Sequence, residues 1–468
     1  MASIDVHRKD KNMKSGSSFL RQSALAVAIA GICAPASAAF FQIAENNASG
    51  IGNAFAGGAA IAEDASTVWY NPAGMTRLKG QQFVFAGHYI NPSIKASVNS
   101  ASAVTGIPIS GGGGEAGEAA PVPNLYYTRP ITSDFSIGAG INAPFGLATE
   151  YESTWAGRYH ALRSDIKAIN YNFAGAYKLS DVLSAGAGIN YQTLKAELSQ
   201  AVDFATLCTV GAGGAFSGAC GLGAGFRPDT NPNDGNAKVT ADSTAWGYNL
   251  GLLAQLDNNF RVGAAYRSKM KHSLSGNFDI TTPGNAATFA GAARLVNQGA
   301  KADIALPATL SFSAYVQLDS QWALLADVTR TNWSAFQELR IKYDSGQGDT
   351  VITLNLHDTW RSSVGLTYKP NSSWVLRGGF ALDQSPVTTS ADTSPRLPDG
   401  DRTWFTLGAG FQASPALNFD FGYAYIKVDN AHVRKTATPA NENVSRGNLS
   451  VDYTGSIQIL SAQARWVF

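Results

Sequence analysis

The chain has 468 residues, of which 45% are apolar, 10% aromatic and only 15% charged, and it carries 48 glycines. Its formal charge is +1, and loss of the five Lys/Arg and two Asp/Glu in residues 1–38 leaves 30 basic against 32 acidic side chains, a balance that argues against nucleic acid as a partner. Apolar residues alternate with Gly, Ser, Asn and Thr and never run together for the about 20 positions a membrane helix needs, which excludes a transmembrane helix and suits a barrel whose outer face is lipid.

At the N-terminus Arg8, Lys9, Lys11, Lys14 and Arg21 surround the start of an apolar run at 24–32, followed by Ala36-Ser37-Ala38. A basic region, a short hydrophobic region and an A-x-A site predict a secretory signal peptide over residues 1–38, with the mature chain starting at Ala39. The run is too short to span a bilayer. Met13-Lys14 would make a more ordinary start to such a peptide than Met1. Residues 39–80 are small and mixed (SGIGNAFAGGAAIAED, then ASTVWYNPAGMTRLKG) and contain no alternating strand.

From Gln82 onward, alternating runs separated by turn residues predict about fourteen strands. Phe83, Phe85 and Tyr89 open the first, and residues 124–128 belong to the second. In the third, Phe135, Ile137, Ala139 and Ile141 alternate with Ser136, Gly138, Gly140 and Asn142. Ile169, Tyr171 and Phe173 mark the fourth, Leu183, Ile189 and Tyr191 the fifth, Trp246, Tyr248 and Leu250 the sixth, and Phe260, Val262 and Tyr266 the seventh. Leu310 and Phe312 give an eighth, residues 322–329 start a long ninth, and Trp360, Val364 and Leu366 lie on a tenth. Trp374 and Phe380, then Phe405 and Leu407, then Phe419 and Tyr423 mark the next three. The last strand closes the pattern: Phe468, Trp466, Ala464, Ala462 and Leu460 share one face, and Arg465, Gln463 and Ser461 the other. An apolar face, a polar face and a terminal aromatic are how bacterial outer-membrane barrels commonly end.

Short turns at 179–181, 257–259, 319–320 and 370–372 contrast with long polar loops near 92–120, 204–240, 281–300, 384–400 and 429–450. That asymmetry assigns the turns to the periplasm and the loops to the outside. No fixed period marks a propeller, and a sandwich would not need so many strands. Of the three cysteines, Cys33 leaves with the signal, while Cys208 and Cys220 flank a Gly/Ala-rich stretch and predict a loop-closing disulfide. No histidine lies near them, so a metal site is the poorer reading, and no cofactor is expected.

These residues resemble the FadL family of outer-membrane long-chain fatty acid transporters, which includes related hydrocarbon channels. The match runs from Ala39-Phe40-Phe41-Gln42 through Ser49-Gly50-Ile51-Gly52 and Ala60-Ile61-Ala62-Glu63-Asp64-Ala65 to Asn71-Pro72-Ala73, similar to the family's NPA hatch motif. It continues in Phe145-Gly146-Leu147-Ala148-Thr149-Glu150, Asn332-Trp333-Ser334-Ala335-Phe336-Gln337, Asp383-Gln384-Ser385-Pro386-Val387 and Leu397-Pro398-Asp399-Gly400-Asp401-Arg402. Loops 204–240 and 429–450 match nothing in the family and are where substrate preference could diverge. The resemblance implies an all-β transmembrane barrel of about 14 antiparallel strands (81–468), with residues 39–80 folded inside the lumen as a hatch. It implies a kink in the third strand at Phe145-Gly146, with Asn71-Pro72-Ala73 as a rigid turn against it, and a ligand that leaves sideways there.

A fatty acid needs an apolar groove for its tail and a basic side chain for its carboxylate, and an Arg fork suits two oxygens. Strand parity puts Arg402 on the lumen face with Trp404 and Thr406, opposite Phe405, Leu407 and Phe411. Arg361 shares the lumen face with Ser363, opposite Trp360, and Arg340 shares a face with Glu338 and Lys342. Lumen salt bridges to Asp401, Asp383 and Glu338 are the competing use of these three arginines. Phe216, Phe226 and Phe289 are candidates for the tail groove.

No H-E-x-x-H, G-x-S-x-G or nucleotide loop occurs, so an enzyme or an ATP-driven step finds little support. The function expected is passive, binding-mediated uptake of long-chain fatty acids or similar hydrophobic compounds by a monomer in the outer membrane of a Gram-negative bacterium. An aromatic or alkane hydrocarbon channel is the nearest alternative, and a lipolytic outer-membrane enzyme the alternative of another class.

Overall fold

A computed structural model describes residues 40–210 and 234–468; residues 1–39, Phe216, Cys220 and Phe226 lie outside the described residues. Fourteen antiparallel staves form one closed sheet. Six are continuous: β1 (Gln82–Ser102), β2 (Ala120–Pro130), β3 (Phe135–Glu150), β4 (Arg163–Lys178), β5 (Leu183–Asp203) and β6 (Asp234–Gln255). Four are interrupted once: β7 (Phe260–Arg267, Met270–Thr281), β8 (Gln298–Leu306, Thr309–Gln317), β9 (Trp322–Thr331, Glu338–Tyr343) and β10 (Thr350–Thr353, Thr359–Tyr368). The ring is completed by β11 (Trp374–Asp383), β12 (Arg402–Ser414), β13 (Leu417–Lys435) and β14 (Asn448–Val467). β14 pairs back onto β1 from Gln82↔Val467 to Ser102↔Asn448, so the sheet keeps no free edge between first and last stave. Closure matters because a bilayer core offers no water to an unpaired peptide group.

The alternation read from the sequence sets the two faces. On β12, Phe405 and Leu407 are 51% and 66% exposed, while Trp404 and Thr406 between them are buried. Aromatic pairs ring both ends of the outward band. Trp322–Tyr368 (4.3 Å), Trp374–Phe411 (4.8 Å) and Phe83–Trp466 (5.8 Å) lie near the short turns. Tyr191–Trp246 (5.0 Å) and Tyr248–Tyr266 (6.0 Å) lie farther up the staves, as amphipathic rings do at the two interfaces.

Several staves run well past the membrane. β5 has 21 residues and β6 has 22, against about 10 needed to cross. Parts of what the sequence suggested as loop, residues 92–102, 234–240, 429–435 and 448–450, are therefore strand. Above the membrane both faces meet protein or water, so the apolar alternation that marks a strand is lost there. The alternation in the sequence does not mark the interruptions in β7–β10.

Residues 42–79 occupy the interior. They form three short helices (Ala48–Gly52, Gly58–Ile61 and Thr67–Tyr70) and a 3-10 turn, Pro72–Arg77. Their bonds go to lumen-facing groups around the whole ring: Ala48 to Gln463 on β14, Gly52 to Thr406 on β12, Asn53 to Thr367 on β10, Ala59 to Ser313 on β8, and Thr76 to Ser184 on β5. Asn71 is the pivot. Its Nδ2 donates to Ala59 O (2.6 Å) and Leu252 O (2.9 Å), and its Oδ1 accepts from Ala73 N (3.1 Å). The expected turn at Asn71-Pro72-Ala73 forms; it and the 3-10 turn it opens seat chiefly on β4, β5 and β6 and also touch the third stave, where Met75 packs against Gly138. Glycines allow this approach: a Cβ at Gly251 would stand 1.9 Å from Asn71 Oδ1, and one at Gly186 2.4 Å from Ala73 N.

Candidate functional site

The upper lumen is apolar. Leu194, Leu274, Ile304, Leu306, Trp333 and Leu356 point inward and pack with Phe40, Phe41 and Phe145 into one contiguous cluster. Above it a groove of about 260 Å³ lies between the extended staves, lined by Leu198, Val239, Phe278, Ile341 and Ile352 together with Arg396. Ile352 belongs to both groove and cluster, so the apolar surface is continuous downward. Phe289 lies on the helix Ala287–Ala292, behind the groove, in a cluster with Phe204 and Cys208.

Arg396 is the unusual group. It is 7% exposed, and its NH1 donates to Arg163 O (3.2 Å), Ser164 Oγ (3.3 Å) and Ser199 O (3.1 Å), while NH2 donates to Gln200 Oε1 (2.8 Å). Its Nε has no partner, and no carboxylate among the described residues pairs with it. Arg446 is also buried and donates to Val351 O, and Lys435 donates to Ala391 O. Burial and the neighbouring Arg446 charge push Arg396 down to about 9, and burial likewise lowers Lys435 and Arg446. Glu442 offsets Lys435 and Arg446, but Arg396 has no carboxylate partner among the described residues; a buried positive charge left so is costly, so this mouth favours an anionic head group with an apolar tail.

Below the cluster, at the hatch, lies a second cavity of about 120 Å³, bordered by Trp69, Tyr70, Phe145, Asn249, Arg267 and Arg361. A ladder of asparagines crosses its wall. Asn142 donates to Asn46 (2.6 Å), Asn170 to Asn142 (3.1 Å) and Asn190 (3.0 Å), and both Asn172 and Asn190 to Asn249 Oδ1 (2.9 Å).

The wall itself is incomplete. β2 and β3 pair only from Leu125↔Ile141 to Pro130↔Ser136, and β3 shifts register between Asn142 and Phe145. Pro121, Pro123 and Pro144 fall on the two edges of the gap and lack the N–H a ladder needs. The gap closes again above, at the Gly117↔Thr149 bridge. Residues 41–43 fill it: Ile43 N donates to Pro144 O (2.8 Å), Gly146 N to Phe41 O (3.0 Å), and Gln42 bridges Phe145. Phe145 and Gly146, expected at a kink, thus stand at its inner edge.

Arg402 faces the lumen, as parity required, and holds this plug. Its NH2 donates to Phe40 O (2.8 Å) and Asp399 (2.8 Å), and Asp399 accepts from Phe40 N (3.1 Å). Its acidic partner is thus Asp399 and not Asp401. Arg361 borders the lower cavity, donates to Ala54 O (2.9 Å) and sits 4.0 Å from Asp383. Arg340 is half-buried and paired with Glu338 (2.7 Å) and Asp349 (3.2 Å), and Asp349 lines the groove, as does Ile341 beside Arg340. Arg396 was missed because it lies in a loop, where parity gives no answer. Arg267 could have been found, since Tyr266 faces outward and the next residue must face in. Cys208 is disulfide-bonded; its expected partner Cys220 is outside the described residues.

A family model described as "Outer membrane protein transport protein (OMPP1/FadL/TodX)" matches residues 29–468. The chain is 32% identical to outer membrane protein P1 of Haemophilus influenzae over 458 residues, covering 92% of this chain and 95% of the relative. It is 33% identical to the long-chain fatty acid transport protein of Escherichia coli K12 over 437 residues, covering 90% and 95%. Among solved structures, a Pseudomonas aeruginosa FadL homologue superposes with a TM-score of 0.83 at 26% identity, covering 92% of this chain and all of the other. The toluene transporter TodX of P. putida shares the fold, with a TM-score of 0.63 at 17% identity over 86% of this chain and 94% of its own.

Proposed function

This chain belongs to the outer membrane protein transport family of FadL and TodX, and from that premise we propose that it takes up long-chain fatty acids, or similarly apolar compounds, through the outer membrane. Uptake is passive and driven by binding, in a monomer, with no catalytic step. The observation that carries the reading is the pairing of a buried Arg396, without a carboxylate partner among the described residues, with an apolar groove whose lining adjoins a packed apolar cluster that reaches the gap in the barrel wall.

Energetics divide the labour. Each buried methylene contributes about 0.8 kcal/mol, so a tail of roughly sixteen contributes about 13 kcal/mol before the costs of binding. The guanidinium then fixes which end enters and selects a carboxylate, since it can bond both oxygens. A hydrocarbon would gain the first term only and leave Arg396 without an anion, which favours the fatty acid over the alternative channel. From the groove the ligand descends past Trp333 to the hatch and leaves sideways between β2 and β3, once Phe41, Gln42 and Ile43 give way. Arg361 acts toward the ligand from the wall of the lower cavity, whereas Arg402 acts on the plug through Phe40.

The test is direct. Lipids copurifying with the protein are identified by mass spectrometry, and labelled oleate uptake is measured in cells lacking the protein and complemented with it. Bound fatty acid and restored uptake are expected. Copurification of hydrocarbons alone, with no gain in oleate uptake, would refute the assignment.

A further inference from the structure

Beneath the hatch, at the periplasmic end of the lumen, two arginines lie together without an acidic partner. Arg261 is the second residue of β7, just past the short turn at 257–259. Gly263 on the same face meets Ala59 of the hatch, so Arg261 points inward, and it is 8% exposed. In register it stands between Gln255 on β6 and Tyr315 on β8, and Tyr315 packs with Ala60, Ala62 and Ala73 of the hatch. The guanidinium lies over the Tyr315 ring, 4.7 Å from the centroid. That contact engages the flat face of the cation and leaves its five in-plane N–H groups unused. None of them finds an acceptor among the described residues, and Nε is sealed from solvent as well.

Arg77 reaches the same place from the hatch. It ends the 3-10 turn Pro72–Arg77, is exposed, and its charge acts on Arg261. Apart from that mutual repulsion the two arginines feel Tyr315 and no carboxylate among the described residues. The acids of this rim are engaged elsewhere. Asp257 accepts from Asn259 N (2.7 Å) and Phe260 N (2.9 Å) in its own turn, and Asp319 accepts from Gln321 N (2.7 Å) and Trp322 N (2.8 Å) in the next. Glu63 pairs with Arg377. A buried cation without a counter-charge is destabilising, and a like charge beside it makes it more so. One of the two belongs to the hatch and the other to the wall, so the unmet charge lies across the joint between them.

We propose that Arg77 and Arg261 form a binding site for a compact oxyanion of the phosphate type, which enters from the periplasm and clamps the hatch to the barrel wall. Bound between them, the anion replaces repulsion by charge-assisted contacts to one residue of the hatch and one of the wall. A phosphate offers four oxygens and a charge of about −1.5 at neutral pH, enough for two guanidinium forks, whereas a single carboxylate serves one. Arg261 lies nearer the periplasmic turn than Arg267, which borders the lower cavity, so the site stands below the ligand's path and does not depend on which apolar compound the barrel carries. Occupied, it holds residues 72–79 against β7; empty, the two charges push the last turn of the hatch away from the wall.

The experiment uses the full-length protein purified in detergent, with heat-modifiable migration as the folding control. Hydrogen exchange of the peptide spanning residues 72–79 is followed by mass spectrometry in inorganic phosphate, in acetate and in chloride, at one pH and one ionic strength. In the wild type, phosphate at roughly ten times its dissociation constant should slow exchange about tenfold relative to chloride, and acetate should slow it less. Arg77→Gln and Arg261→Met should each cut the phosphate effect to less than about twofold. In chloride, Arg261→Met should exchange no faster than the wild type, because Met keeps an apolar stem against Tyr315 and removes the repulsion. Arg77 is exposed, so Arg77→Gln keeps the test decisive if Arg261→Met fails to assemble. No phosphate effect in the wild type, an undiminished effect in either variant, or a larger effect of acetate than of phosphate would overturn the site. Faster exchange of Arg261→Met in chloride would make Arg261 a brace for Tyr315 and would overturn it equally.

Discussion

Replacing Arg396 by Met separates the two contributions to binding, because Met keeps most of the apolar stem and removes the charge. A hydrogen-bonded charged pair contributes about 1.5–3 kcal/mol, equivalent to about 10- to 150-fold in Kd. Each methylene contributes about 0.8 kcal/mol, or roughly fourfold. The assay is equilibrium binding of a saturated series of acids, and of the alcohols of the same lengths, to outer membranes carrying each variant. Plotted against chain length, log Kd should have the same slope in wild type and Arg396→Met, since the groove formed by Leu198, Val239, Phe278, Ile341 and Ile352 is untouched. Only the intercept for the acids should shift, by one to two decades, while the alcohols stay where they were. The pH dependence follows from the same group. Burial and Arg446 hold Arg396 at about 9, and the protonated form is the one that binds. Acid binding should therefore be flat from about pH 6 to 8, where carboxylates are ionised, and fall as pH rises through about 9. The alkaline fall should vanish in Arg396→Met. Equal losses for acids and alcohols, or an unchanged alkaline fall in the variant, would refute the role of Arg396.

Three further outcomes are expected. Gln42→Cys with Phe145→Cys joins two residues that bridge antiparallel across the plug, within the reach of a disulfide; oxidation should stop uptake and a reductant restore it, and transport through the oxidised form would exclude the lateral route. Gly251→Val drives a side chain into Asn71 Oδ1 and should dislodge the hatch seat, reducing uptake severalfold while the barrel still shows heat-modifiable migration; unchanged uptake would remove the Asn71 seat from the mechanism. Peptide mapping without reductant should recover Cys208 linked to Cys220, and free thiols at both in exported protein would rule the pairing out.

Much of this architecture was legible in the sequence because a bilayer imposes it residue by residue. With lipid on one side and a packed lumen on the other, Phe405, Trp404 and Thr406 must alternate, and that local rule gave the stave count, the faces and the inward orientation of Arg402 and Arg361. Resemblance put the strandless stretch before Gln82 inside the ring, and its small residues without an alternating face agreed with that. Resemblance, not periodicity, pointed to Phe145-Gly146. What the linear text could not settle was partnership. Parity says that a side chain faces in, but not what it meets there: Arg402 meets Phe40, some 360 positions away, and Arg340 meets Glu338 and the groove-lining Asp349. Arg396 lies in a loop with no period, and it acquires its character only because distant backbone carbonyls and Arg446 surround it while no carboxylate among the described residues pairs with it. The gap between β2 and β3 is likewise a property of two strands and of the plug between them. Alternation is a local consequence of solvent, whereas the pairing of charges and the place where a ladder stops depend on contacts that exist only once the ring has closed.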